Sequence, residues 1–171
     1  MNQINIQYYK TSYGELVIGS FDEKLCMCDW RYRKIRPRID ARLRKGLQAT
    51  FIEKEDELMK DTRQQLSEYF DHKRKHFDIP LLMIGTEFQK NVWKALLKIP
   101  FGETSSYLNL AQKMGNKKSV RAVANANGAN AISFFIPCHR IIGSKGELVG
   151  YAGGLQTKKK LLLLEQNVLS L

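Results

Sequence analysis

Residues 105–130 read SSYLNLAQKMGNKKSVRAVANANGAN. Ser105 or Ser106 can cap a helix over 107–114, and Gly115 is well placed to stop it. After the short Asn116-Lys117-Lys118 turn, Ser119 can cap a second helix running to about Asn127. Two short helices joined by a tight Gly-containing turn spell a helix-turn-helix, with an ordinary helical hairpin as the plainer alternative. The second helix carries Arg121 and the small residues Ala122, Ala124 and Ala126. Small side chains let its backbone approach a groove closely while Arg121 and the flanking lysines meet phosphates.

Downstream, the apolar run 132–136 reads as a strand-like segment and exits into Pro137-Cys138-His139-Arg140. A thiol attacks as its thiolate, and neighbouring imidazole and guanidinium groups favour that form, so Cys138 is the best nucleophile in the chain. The bland alternative for a single Cys is a small buried hydrophobe. A Gly-rich loop over 143–154 follows. Thr157 then caps a last helix with Leu161, Leu164 and Val168 facing inward. Lys158, Lys159 and Lys160 crowd its first turn, where cations oppose the helix dipole by a few tenths of a kcal/mol each.

Upstream, Thr86-Glu87-Phe88-Gln89 fits a capping box and opens a helix burying Phe88, Val92, Leu96 and Ile99. In the first half, Ile4, Ile6 and Tyr8 alternate with polar residues, Gly14 turns the chain, and Leu16 and Ile18 resume the period of two. The run Leu25-Cys26-Met27-Cys28 continues a small antiparallel sheet. Over 56–71, Leu58, Thr62, Leu66, Tyr69 and Phe70 keep helical spacing. The expected organisation is therefore an N-terminal α/β domain over 1–84 and a largely helical domain over 85–171, a two-domain fold of the α/β (α+β) class.

Charge points to a partner for the second half. The 171-residue chain has a formal net charge of +11. Residues 1–85 hold 16 basic and 13 acidic side chains, and residues 86–171 hold 12 and 4. The second half is depleted of acids, which leaves a nearly uncompensated field suited to a phosphate backbone. The basic run 31–45 reads first as a solvated loop and helix face, and second as auxiliary contact with nucleic acid. The composition excludes disordered, collagen-like and low-complexity classes. No apolar stretch approaches the roughly 20 residues of a membrane span, and three Cys behind a polar N-terminus suit a reducing cytoplasm.

The segment Ile136-Pro137-Cys138-His139-Arg140-Ile141-Ile142, followed by Gly150-Tyr151-Ala152-Gly153-Gly154-Leu155, resembles the O6-alkylguanine-DNA alkyltransferases, also called methylated-DNA-protein-cysteine methyltransferases. The likeness extends through Phe101-Gly102-Glu103-Thr104, Ser106-Tyr107, Arg121-Ala122-Val123, Asn130, Lys158 and Glu165, and into the first half at Leu66, Tyr69-Phe70, Phe77 and Pro80-Leu81. It implies a winged helix-turn-helix. It also implies irreversible transfer of an alkyl group from O6 of guanine in duplex DNA to Cys138, once per molecule, with O4-alkylthymine left open.

The resemblance makes His139 and Glu165 a relay drawing away the thiol proton through water, and Tyr107 the proton donor to the departing guanine. Asn130 would be a hinge beside the base pocket, Tyr151, Ala152 and Gly153 its walls, and Lys158 a pocket-side lysine. Arg121 would fill the gap left by the flipped nucleotide, with Ser119, Ala122, Ala124, Asn127 and Arg140 also on the DNA side. A monomer with no cofactor and no metal is expected, clustering on DNA being left open. Departures from the commonest pattern fall at Ala124, Ala131 and Ala152, and none removes a reacting group. The rival readings are a cysteine hydrolase using Cys138, His139 and Glu165, a DNA-binding module without transfer, and a zinc site at Cys26, Cys28, His72 and His76.

Overall fold

In the computed structural model, which describes residues 2–166, the alternation of Ile4 and Ile6 with polar neighbours becomes β1 (Asn2–Thr11). The Thr11 hydroxyl accepts from the N–H groups of Tyr13 and Gly14 and so closes the turn. The chain returns antiparallel as β2 (Gly14–Phe21), and β3 (Lys24–Trp30) pairs antiparallel with β2. Helix α1 (Arg36–Leu47) crosses over, and β4 (Ala49–Glu53) then pairs with β1 in parallel. The sheet order is β3-β2-β1-β4. Three strands are antiparallel as expected. The fourth adds a parallel edge, which needs a crossover of the kind α1 supplies.

Asp56 caps α2 (Glu57–Phe70) by accepting from the Met59 N–H at 2.9 Å, and it also takes hydrogen bonds from Asn5 and Ser20 of the sheet. The buried face of α2 is Met59, Thr62, Gln65, Leu66 and Tyr69. Met59 thus takes the inward place assigned to Leu58, while Phe70 stacks on Tyr13 with ring centroids 4.7 Å apart. Past α2 the chain runs back along β3. The Leu25 N–H donates to Pro80, and the Leu82 N–H donates to Leu25, both at 2.8 Å. This segment covers what would otherwise be an open sheet edge.

The basic run 31–45 is only partly solvated, which corrects the first reading of it. Asp29, fully buried on β3, receives Arg33 at 3.1 Å and Arg36 at 2.6 Å, while Arg36 also reaches Asp40 at 3.0 Å. Arg31 pairs with Glu15 at 2.7 Å and lies over the Tyr8 ring. Cys26 and Cys28 are buried, and burial pushes the Cys26 thiol up to about 12 and raises Cys28 well above its ordinary value. Among the described residues, no group of three or more His, Cys, Asp or Glu is placed to hold a metal ion, and no helix is long and apolar enough to cross a membrane.

A second compact unit begins at Thr86. The capping box forms as read: the Thr86 hydroxyl accepts from the Gln89 N–H, and the Gln89 side chain accepts from the Thr86 N–H. It opens α3 (Glu87–Leu96), whose buried face is Val92, Trp93 and Leu96. Phe88, assigned inward, is 38% exposed instead. The Trp93 indole N–H donates to the Ala126 carbonyl at 2.9 Å and so anchors the second helix of the pair.

Two residues of β5 (Ser105–Ser106) lead into α4 (Tyr107–Lys113), and Ser106 caps it by accepting from the Asn109 N–H. Gly115, at φ +88°, ends α4 in a backbone conformation that costs glycine little. A 3₁₀ turn (Lys117–Ser119) precedes α5 (Val120–Gly128). Ser119 does not cap α5 through its side chain; its hydroxyl donates to the Asn116 carbonyl at 2.6 Å.

Residues 132–136 form a turn rather than a strand, and Cys138–Arg140 form a 3₁₀ helix running into β6 (Ile141–Ile142). β6 pairs in parallel with β5. Beyond it the wing is a loop, closed where the Gly143 N–H donates to Glu147 at 2.8 Å. Helix α6 (Leu155–Glu165) starts two residues before Thr157, after Gly154 at φ +92°. Leu161 and Leu164 are buried as expected, and Val168 lies outside the described residues.

Candidate active site

The β5–β6 pair joins two distant stretches in parallel, Ser105 against Ile141 and Ser106 against Ile142, with Tyr107 directly after β5 and Cys138–Arg140 directly before β6. Cys138 is near enough for its charge to act on the Tyr107 phenol. The turn that delivers Cys138 is held by Asn130, which is buried. Its Oδ1 accepts from the Ile132 N–H and its Nδ2 donates to the Ile136 carbonyl, both at 3.0 Å. Inside this clamp Phe134 is buried at φ +72°, an uncommon conformation for a bulky side chain that persists only where its surroundings over-determine it. Asn130 is thus a clamp on the chain. Asn130→Ala leaves the buried Ile132 N–H without its partner and removes one of the two donors to the Ile136 carbonyl, the Cys138 N–H remaining. It is expected to cost about 2–3 kcal/mol in denaturant unfolding, and a loss under 1 kcal/mol would contradict the clamp.

Next to Cys138, which is 4% exposed, lies a buried charge network. Glu165 on α6 receives Arg140 in a fork, Nε on Oε1 at 2.7 Å and Nη2 on Oε2 at 3.0 Å. Its Oε2 also meets His139 Nε2 at 2.6 Å. The remaining guanidinium nitrogen, Nη1, donates to the Ile99 carbonyl at 2.7 Å. Burial pushes Glu165 up, but hydrogen bonds and charge from His139 and Arg140 outweigh it and hold the carboxyl well below its usual range. Burial is the largest influence on His139 and pushes it down, against the pull of Glu165. The imidazole is therefore a neutral base beside a fixed anion.

Arg140, expected on the DNA side, is turned inward instead. It is 7% exposed, and its guanidinium is committed to Glu165 and Ile99. Asn127 is also turned inward, buried on the inner face of α5 alongside Tyr107. Burial raises the Tyr107 phenol, with Asn127 offsetting part of the rise. The His139 and Tyr151 rings meet edge to face with centroids 6.4 Å apart, and Ala152 and Gly153 follow, half-buried. Lys158 is fully buried, and its Nζ donates to the carbonyls of Val149 at 2.8 Å and Gly150 at 3.2 Å, tying the loop before Tyr151 to α6. This bond accounts for a lysine in a turn that disfavours it. Burial brings its pKa down to about 8, against a pull upward from Cys138. Lys159 and Lys160 are exposed.

The outward face of α5 carries Arg121 and Ala122, with Ala124 half-buried and Ser119 half-buried at its start. Asn125, one turn beyond Arg121 and exposed, belongs to the same face and was missed, although its i, i+4 spacing from Arg121 signals it. Lys117 and Lys118 are exposed in the turn before it.

Two family models match the chain: the 6-O-methylguanine DNA methyltransferase DNA-binding domain over residues 87–167, and the ribonuclease-like domain of the same methyltransferase over residues 4–83. The chain belongs to the 6-O-methylguanine DNA methyltransferase family. The constitutive methylated-DNA–protein-cysteine methyltransferase of Bacillus subtilis is 47% identical over 166 residues, covering 92% of this chain and 94% of that one. The Methanosarcina mazei methyltransferase is 49% identical over 117 residues, 68% of this chain and 73% of its own.

The crystal structure of Mycobacterium tuberculosis O6-methylguanine methyltransferase superposes with a TM-score of 0.80 at 34% identity, covering 96% of this chain and 93% of that one. A structure of the same enzyme in complex with DNA matches with the same score and coverage at 33% identity. Within this methyltransferase family, the site described above brings together Cys138, His139, Glu165, Tyr107 and Lys158 in one unit. It turns Arg140 and Asn127 inward, away from the helix face that holds Arg121.

Proposed function

We propose that this protein repairs duplex DNA by moving the alkyl group from O6 of guanine to the sulfur of Cys138, once per molecule. The observation that carries this reading is a nucleophile turn backed by a buried, hydrogen-bonded His139–Glu165 couple, in the same unit as an exposed arginine on a short helix lined with small residues. The thiol proton passes to His139, with water as the link that the resemblance implies. Sulfur attacks the alkyl carbon as the carbon–O6 bond breaks, and the electron pair leaves on guanine. Tyr107 protonates that anion as it forms. A thioether has no easy leaving group, so turnover ends there.

The reacting atom lies inside the base stack, and flipping the nucleotide costs a few kcal/mol, less at a damaged pair. Arg121 is exposed on α5, where it can occupy the vacated space while Ser119, Ala122, Ala124 and Asn125 lie along the groove. Binding through phosphates is independent of sequence and falls with salt. A hydrolase fits less well. The Cys138 N–H is bonded to Ile136 at 2.8 Å and the Arg140 N–H to Pro137 at 3.0 Å, so neither is open to hold an oxyanion.

Incubation with duplex DNA carrying O6-methylguanine should add one methyl to the intact protein, located on the Cys138 peptide. No adduct, or one on Cys26 or Cys28, would overturn the proposal. Arg121→Ala should slow repair in duplex by roughly 10- to 100-fold, given a flipping cost of a few kcal/mol, and leave reaction with free O6-benzylguanine nearly unchanged. Equal losses on both substrates would remove the helix from the flipping step.

A further inference from the structure

We propose that Arg140 is a positioning residue for the transfer: by gripping both oxygens of Glu165 it makes that carboxylate accept the Nε2–H of His139, which leaves Nδ1 as the base for the Cys138 proton. The inference rests on the alkyl-transfer reading above and assigns a task to a residue that reading does not use.

The argument begins with what each atom can do. An ionised carboxylate only accepts hydrogen bonds, whereas a protonated one donates through its hydroxyl. Glu165 Oε2 lies 2.6 Å from His139 Nε2, so the protonation of Glu165 decides which imidazole nitrogen carries hydrogen. With Glu165 ionised, Nε2 must donate and Nδ1 is bare. With Glu165 protonated, its hydroxyl could donate to Nε2, the hydrogen would move to Nδ1, and the base would be lost. Arg140 disfavours the second state, because its fork places a charged N–H donor on each carboxylate oxygen at 2.7 and 3.0 Å and so stabilises the ionised form over the protonated one.

Three further observations fit this task. The guanidinium is held independently of Glu165 by the Ile99 carbonyl at 2.7 Å, so the fork is aimed before the carboxylate meets it. His139 Nδ1 is buried and has no hydrogen-bond partner within the described protein, as a nitrogen reserved for an incoming proton would be. Burial keeps the imidazole neutral at rest, and the positive charge of Arg140 works in the same direction against the pull of Glu165. Once it takes the proton from Cys138, Glu165 stabilises the imidazolium through the same 2.6 Å contact. A lysine could supply the charge but not the two-point grip.

The test uses the full chain with ¹⁵N-labelled histidine. His139 is assigned by comparison with His139→Gln, since only His72 and His76 are otherwise present. In the native protein near neutral pH, Nε2 should be the protonated nitrogen and Nδ1 the bare one. A hydrogen on Nδ1 would overturn the proposal whatever the variants do. In Arg140→Lys and Arg140→Met the tautomer should mix or invert. Single-turnover reaction with free O6-benzylguanine should slow by at least about 10-fold, as when a catalytic His loses its orienting carboxylate. Duplex affinity should stay within about 2-fold, since Arg140 does not face DNA.

An unchanged tautomer and rate in Arg140→Lys would overturn the proposal, as would a loss confined to duplex affinity. Native protein that keeps the Nε2–H tautomer yet takes up no methyl from lesion-bearing duplex would sink the alkyl-transfer reading instead. If Arg140→Met does not fold, Arg140→Lys and the native tautomer decide the matter.

Discussion

Cys138→Ser is expected to take up no methyl from O6-methylguanine duplex, with transfer falling by on the order of 10⁴-fold or more, the scale on which hydrolases lose rate when their nucleophile is removed. Affinity for the same duplex should be retained. The reason lies in what the surrounding groups can achieve. His139, backed by Glu165, together with the nearby Lys158 charge, favours a thiolate whose ordinary pKa lies within reach of neutral pH. The same groups cannot ionise a serine hydroxyl to a useful extent.

The variant also separates repair from binding, since Arg121 and the exposed face of α5 are untouched. Transfer persisting in Cys138→Ser would move the acceptor elsewhere. Cys26 and Cys28 are the other thiols, and burial holds both far above the range in which a thiolate forms at neutral pH. Loss of both transfer and duplex affinity would instead indicate that the turn around residue 138 supports the DNA-binding helices.

Features decided within one turn of helix were legible in the sequence, and those decided by distant partners were not. Thr86 and Gln89 are three residues apart, and their reciprocal bonds form as the pattern predicts. Ser106 and Gly115 likewise bound α4 through local chemistry. The run 132–136 failed because a fully buried apolar stretch has the same pattern whether it is a strand or a turn. What bends it is Asn130, through bonds to Ile132 and Ile136 that no periodicity reveals.

Helix α6 begins early because Gly154 supplies a backbone start with no side-chain cap to read. Among the site residues, Cys138 was legible from its His139 and Arg140 neighbours, while Glu165 came from the resemblance and meets His139 in the structure across 26 positions. Arg140 was misplaced for a physical reason. In a basic chain an arginine suggests phosphate, and only the fold shows that its partner is a carboxylate 25 positions away.

The run 31–45 carries the same lesson and the second large effect. Asp29→Ala is expected to destabilise the protein by about 3–5 kcal/mol, the range found when one partner of a buried ion pair is removed. Asp29 is fully buried, and its two oxygens hold Arg33 at 3.1 and 3.2 Å and Arg36 at 2.6 Å. The side chains of these arginines are only 7% and 11% exposed, so neither regains full hydration when the carboxylate goes.

Arg36 retains Asp40 at 3.0 Å, which places the expected loss toward the lower end of that range unless Arg33 also becomes trapped. Asp29→Asn keeps the shape and a hydrogen-bond acceptor while removing the charge, so it should fall between native and Ala. Denaturant unfolding of the full chain measures all three, and a double-mutant cycle with Arg33→Met isolates the pair. A loss under about 1 kcal/mol for Asp29→Ala, typical of surface pairs, would mean the arginines swing out to solvent. The run would then be the solvated face that its composition suggests.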